Sequence, residues 1–123
     1  MRARALSVGS VVSLIVIMTT PVRTQALEVF GPAIVTAYRS SIQPDGSEVV
    51  GVTISSLAGL SGCAAQSWWG HSLTIRSTSP NFKTLLSAVI VAFLSGRPVT
   101  GVVYDGCAGI NGNYQVMELQ LQN

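Results

Sequence analysis

In a 123-residue chain with one histidine and two cysteines, chemistry has few places to reside. A serine or cysteine nucleophile needs a base held beside it, and His71, which follows Trp68-Trp69-Gly70, has no sequence setting of that kind. It reads as a polar residue at the mouth of a strand. Asp105 and Glu118 are the carboxylates from which a two-acid hydrolase would have to be assembled, but Asp105 abuts a glycine turn and Glu118 falls on one face of an alternating strand. Both read as solvated surface residues, and no catalytic residue is expected. Cys63 and Cys107 lack the two-residue spacing of a redox motif, and one histidine does not supply a zinc ligand set, so neither metal nor cofactor is expected. Gly101 and the glycines from Gly106 to Gly112 neither open a helix nor precede a P-loop lysine, and they read as turn devices.

Recognition is the remaining chemistry, and the aromatic residues are its carriers. Neighbours in an extended chain point to opposite faces, so one of Trp68 and Trp69 can fill the core while the other meets solvent or a partner. An exposed indole offers a flat apolar face with an N–H donor, suited to a sugar ring or a protein pocket. Core packing is the alternative for either one alone. Tyr38, Trp68, Trp69, His71 and Tyr104 form the candidate ligand-binding set.

These residues must be positioned after export. Arg2 and Arg4 precede a mainly apolar run from Leu6 to Met18, and Thr24 and Ala26 stand at the minus-three and minus-one positions before Leu27. Residues 1–26 read as a secretory signal. The alternative is a membrane anchor, but the run is shorter than the roughly 20 apolar residues of an uninterrupted span. Residues 27–123 then form one secreted or periplasmic domain. Three arginines leave with the leader, so the net charge of +2 belongs to the whole chain and the remainder holds four basic against five acidic residues. Without a Lys/Arg stripe, no nucleic-acid partner is expected. In an oxidising compartment a lone cysteine pair is most simply one disulfide, Cys63–Cys107, the alternative being two buried thiols. The bond would bring the glycine-rich loop at 105–113 and the tryptophans to neighbouring parts of one rim.

Alternation predicts a first strand at 31–42, a turn at Gln43-Pro44-Asp45-Gly46 and a second strand at 48–55. A short third strand follows at 73–76. Phe82, Leu85, Leu86, Val89, Ile90, Phe93 and Leu94 recur at spacings of three and four, which predicts a helix at 80–94 capped by Ser79 and ended by Gly96. Its apolar stripe, extended by Val91, is broad enough to suggest oligomerisation. Strands at 99–104 and 114–121 complete the chain. Five strands with the helix between the third and fourth is the order of an OB-fold barrel, mainly β, with a small α+β sandwich as the alternative.

Two segments carry a family likeness. Phe30-Gly31-Pro32-Ala33-Ile34-Val35-Thr36-Ala37-Tyr38 resembles the first strand, and residues 82–103, with Leu94-Ser95-Gly96-Arg97-Pro98-Val99, resemble the helix and next strand, of receptor-binding B subunits of AB5 toxins of the pertussis and subtilase cytotoxin type. The resemblance implies an exported OB-fold, a ring of five, an enzymatic A subunit as partner and sialylated glycans as ligands. In that family a serine directly after the first-strand aromatic grips the sialic acid carboxylate, and here that position is Gly31. Its cysteines pair within the early strands, whereas Cys63 and Cys107 would tie the second-to-third connection to the end of the fourth strand. The expected function is a non-enzymatic domain recognising a glycan or cell-surface partner. The alternative is a small structural or inhibitory interaction protein without a sugar site.

Overall fold

The computed structural model describes residues 27–63 and 70–123. The expected leader, and Trp68 and Trp69, lie outside the described residues. Among the described residues, six strands and one α-helix follow in the order β1 (Glu28–Ala33), β2 (Val35–Ile42), β3 (Glu48–Ile54), β4 (Leu73–Arg76), α1 (Phe82–Ser95), β5 (Val99–Val103) and β6 (Tyr114–Leu121). The strands hydrogen-bond in the order β1-β5-β6-β4-β3-β2. All neighbours are antiparallel except β4 and β6, which run parallel through Leu73 opposite Tyr114 and Thr74 opposite Gln115.

The five-stranded barrel expected from the sequence is therefore corrected to six strands in an open order, with α1 between the fourth and fifth. The difference arises at one place. Gly31 takes φ +95° with its Cα so close to β5 that a Cβ would stand 2.4 Å from the Val99 carbonyl oxygen. Pro32 follows through a cis peptide bond and contributes no N–H, and the β1–β5 register shifts between Phe30 and Ala33. The β1–β5 pairing resumes only at Ala33, and the single expected strand is cut in two at Ile34. Its first half stays on β5, and its second half crosses to β3.

One residue makes the crossing. Ile34 donates its N–H to Ser55 Oγ at 2.8 Å and accepts the Ser55 N–H at 2.8 Å, so the two outermost strands of the sheet are consecutive in the chain. The β2–β3 hairpin turns where the sequence predicts, with Gly46 N–H donating to the Gln43 carbonyl.

The core lies between this curved sheet and α1. Val50, Val52, Leu73, Ile75, Val99, Val103 and Val116 meet Leu85, Val89 and Ala92 of the helix, with Phe30 and Tyr114 filling the ends. Each such aliphatic side chain contributes about 1.5–3 kcal/mol by leaving water. The helix begins at Phe82 rather than at Pro80, and Ser79 does not cap it. Its carbonyl accepts the Phe82 N–H in a preceding turn, while the side chain of the N-cap residue, Asn81, is drawn away to donate to the Met117 carbonyl on β6 at 2.9 Å. At the other end Gly96 adopts the left-handed conformation and returns its N–H to Ala92, as its position predicts.

The contact between β1 and β5 leaves no room at Gly101. An added Cβ would meet the Phe30 ring at 2.5 Å and the Glu118 carbonyl oxygen at 2.7 Å. Gly101→Ala is therefore expected to destabilise the fold by about 1–3 kcal/mol through overpacking, read as a lowered midpoint in chemical denaturation. An unchanged midpoint would show that the β1–β5 seam is looser than this.

Candidate functional site

The Cys63–Cys107 bond is present, and with it the loop that follows β5 is fastened at one end of the sheet. Cys63 donates its N–H to the Tyr114 hydroxyl at 3.0 Å. On the other side the loop is held by polar groups. Arg76 donates from Nε and Nη2 to the Ala108 carbonyl at 3.2 and 3.0 Å, and the Ile110 N–H donates to Thr74 Oγ1 at 3.0 Å. Thr74 Oγ1 in turn donates to Asn113 Oδ1, and Asn113 Nδ2 donates to the His71 carbonyl at 3.3 Å. Thr74 and Asn113 are both fully buried, so this network must be complete to be stable.

His71 is buried beside the network, with Nδ1 2.7 Å from Thr53 Oγ1. Burial lowers its pKa from the ordinary imidazole value, and the charge of Arg39 adds to the effect. Arg39 faces Gly51, Gly51 faces Thr74 and Thr74 faces Gln115, whose carbonyl accepts the Tyr104 N–H. Residues directly opposite share a face. Arg39 and Tyr104 thus lie toward the two ends of one cross-strand row, with the buried network over its centre.

Tyr38 does not join them. It is opposite Val52 on the core-facing side of β2, where its ring meets the ring of Phe93 edge-on at 5.4 Å. The expected binding set therefore divides across the sheet, with Tyr38 on one face and His71 and Tyr104 associated with the other. Glu118 is four residues along β6 from Tyr114, roughly 13 Å beyond the strand end next to His71, and it borders a separate groove with Thr84, Thr100 and Gln120. Thr53, Thr74 and Asn113 were not singled out by the sequence. The alternation of β3 points Thr53 away from Val52 and Ile54, but its partner His71 depends on the pairing of distant strands.

Beside Tyr38, the surface of the described residues is apolar, and among them one sheet edge is open. Ile42, Val91, Phe93 and Leu94 are exposed, Leu94 by 77 %. The bonds joining Glu48 with Ser77, and Ser72 with Val52, turn the even-numbered residues of β3 toward β4 and leave its odd-numbered ones to β2. The backbone N–H and C=O groups of Tyr38, Ser40 and Ile42 consequently point away from the sheet. The other outer strand is shielded, since Gly59 packs with its Cα against the Val29 carbonyl and Ser61 reaches Glu28.

The position that holds the carboxylate-gripping serine in the resembled family cannot do so here. Gly31 has a backbone conformation unfavourable to side chains and no space for a Cβ. No family model matches the chain, and no curated protein matches it. Among solved structures, a chain from a study of the assembly of the subtilase cytotoxin SubAB is similar, with a TM-score of 0.56 and 14% identity over 76% of this chain and 83% of that one. The likeness is one of fold, and it agrees with the resemblance carried by residues 30–38 and 82–103.

Two measurements check this end of the molecule. A double Cys63→Ser/Cys107→Ser variant is expected to lose up to about 4 kcal/mol of stability, the entropy of a closed loop of this length, and to show faster amide exchange at Gly109 and Ile110; a loop still protected would mean that the Thr74–Asn113 network suffices alone. For His71 the folded state binds a proton less readily than the unfolded chain, so its contribution is complete above about pH 6.5 and is lost as pH falls through the lowered folded value. Melting temperature should therefore fall more steeply between pH 7 and 5 for the wild type than for His71→Gln, and equal slopes would remove His71 from the account.

Proposed function

We propose that the chain is a non-enzymatic binding and assembly subunit, similar in role to a B subunit of the subtilase cytotoxin type. In this reading residues 1–26 direct export and are removed, and residues 27–123 form a secreted or periplasmic domain that recognises a glycan or cell-surface partner. The six strands are taken as an open variant of an OB-type plan whose first strand is broken at Ile34. The observation that carries the proposal is the fold likeness to a chain of an assembled toxin, together with an open β2 edge flanked by Tyr38, Ile42, Phe93 and Leu94. An uncovered edge with apolar side chains is a template for pairing with another chain.

The assembly is a homo-oligomer, a ring of five by resemblance, with an enzymatic A subunit as its further partner. Gly31, where the family has its sugar-gripping serine, favours a second reading in which the domain is a structural or inhibitory interaction protein without a sugar site.

Light scattering on the purified protein separates assembly from its absence. The wild type is expected to be oligomeric at micromolar concentration and Leu94→Asp, at a position too exposed to affect folding, to be smaller by a whole number of subunits. A wild type that is cleanly monomeric would sink the assembly subunit reading.

A further inference from the structure

The groove bordered by Glu118 has a donor and acceptor set that specifies a kind of ligand. It holds about 320 Å³ and runs between the β5–β6 hairpin and the first turn of α1. Thr100 is opposite Gln120 and Val102 is opposite Glu118 and Val29, so these five side chains share one face. Asn81 and Thr84 approach from the helix.

The proton bookkeeping at this surface is partly fixed by neighbours. Gln122 Nε2 donates to Thr100 Oγ1 at 3.0 Å, which leaves the Thr100 hydroxyl proton to donate into the groove. Asn81 spends an N–H on the Met117 carbonyl, which leaves its Oδ1 to accept. Glu118 only accepts when ionised, while Gln120 and Thr84 can do either. Between these polar groups stand Val29, exposed by 62 %, and Val102, which offer aliphatic surface. Among the described residues, no lysine, arginine or histidine lines the groove.

A ligand that satisfies this arrangement must both donate and accept at several closely spaced points, present a C–H face between them and carry no negative charge. Vicinal hydroxyls on a pyranose ring do so. A carboxylate, phosphate or sulfate would bring only acceptors against Glu118 and find no cation among the described lining residues to offset the repulsion.

We infer that this groove binds an uncharged hexose unit of a glycan, with Glu118 accepting from a pair of ring hydroxyls, Thr100 and Gln120 completing the hydrogen bonds, and Val29 and Val102 under the C–H face. The inference rests on the glycan-binding reading above and names the ligand of a site that does not use position 31. Acidic sugars are rejected by the same carboxylate that holds the neutral one.

The purified protein, applied to an array of neutral and sialylated glycans, tests it. Neutral glycans should bind, terminal sialic acid should not improve binding, and in titration with the best neutral oligosaccharide the amide signals of Thr100, Gly101 and Gln120 should shift. Glu118→Gln is expected to weaken that binding about tenfold, as loss of a charged acceptor does, with its melting temperature unchanged because the side chain is exposed. Binding confined to sialylated glycans, or neutral binding that Glu118→Gln and Thr100→Val leave intact, overturns the groove and leaves the glycan reading standing. An array with no bound glycan overturns both, and the oligomeric state then reports separately on assembly.

Discussion

The fold depends on a single constraint, that the chain passes from one outer strand of the sheet to the other across Ile34. Gly31 and Pro32 interrupt the ladder with β5, which resumes only once more, at Ala33 opposite Val99, by removing, respectively, the side chain and the N–H that a regular strand would need there. Ser55 then holds Ile34 from both sides, and β2 is launched against β3. Because β1 and β2 are thereby fixed at opposite margins of the sheet order, every strand between them must curve, and α1 fills the concavity with Leu85, Val89 and Ala92. The amphipathic helix is a consequence of that curvature as much as of its own periodicity.

The same curvature decides which surfaces are available for binding. At one end of the sheet the loop after β5 lies over Thr74 and spends its polar groups internally, on Asn113, Arg76 and the His71 carbonyl. That region is braced, and its ligand-facing capacity is limited to its margins. At the other end Gly101 lets β1 sit close on β5, and the side chains of Thr100, Val102, Glu118 and Gln120 are left standing on the outside with few internal obligations. A surface whose hydrogen-bonding groups are already matched to one another offers little to a partner; one whose groups are held in place but not consumed offers much.

Elements with local causes were legible in the sequence. The strand at Tyr114–Leu121 has the bounds that period-two alternation gives it, Leu73–Arg76 is where its β-favouring residues stand, and Gly96 ends the helix for the conformational reason expected. What was hidden has non-local causes. Glu28–Ala33 lies mostly ahead of the strand that alternation predicts from residue 31, and it is a strand because β5 supplies a partner more than 60 residues away. Asn81 leaves the helix end because Met117 is close. By residue type Tyr38 and His71 belong to one candidate set, and the sheet separates them because facing depends on the register of β2, β3 and β4, which no single strand encodes.

The Cys63–Cys107 bond also bears on how the last strand pair can be found. The β1–β5 ladder joins Glu28 to Val103 and is among the most distant pairings in the chain, of the kind that slows a search. Along the backbone those two residues are far apart, but once the bond has formed a path through it is about half as long, which lowers the cost of bringing them together by about 0.6 kcal/mol on ideal-chain scaling. The bridge thus acts as a shortcut in the covalent graph. It favours a history in which the β2–β3 hairpin and the β5–β6 hairpin form first, each from neighbours in sequence, and the N-terminal strand closes onto β5 only after the rest has been tied together.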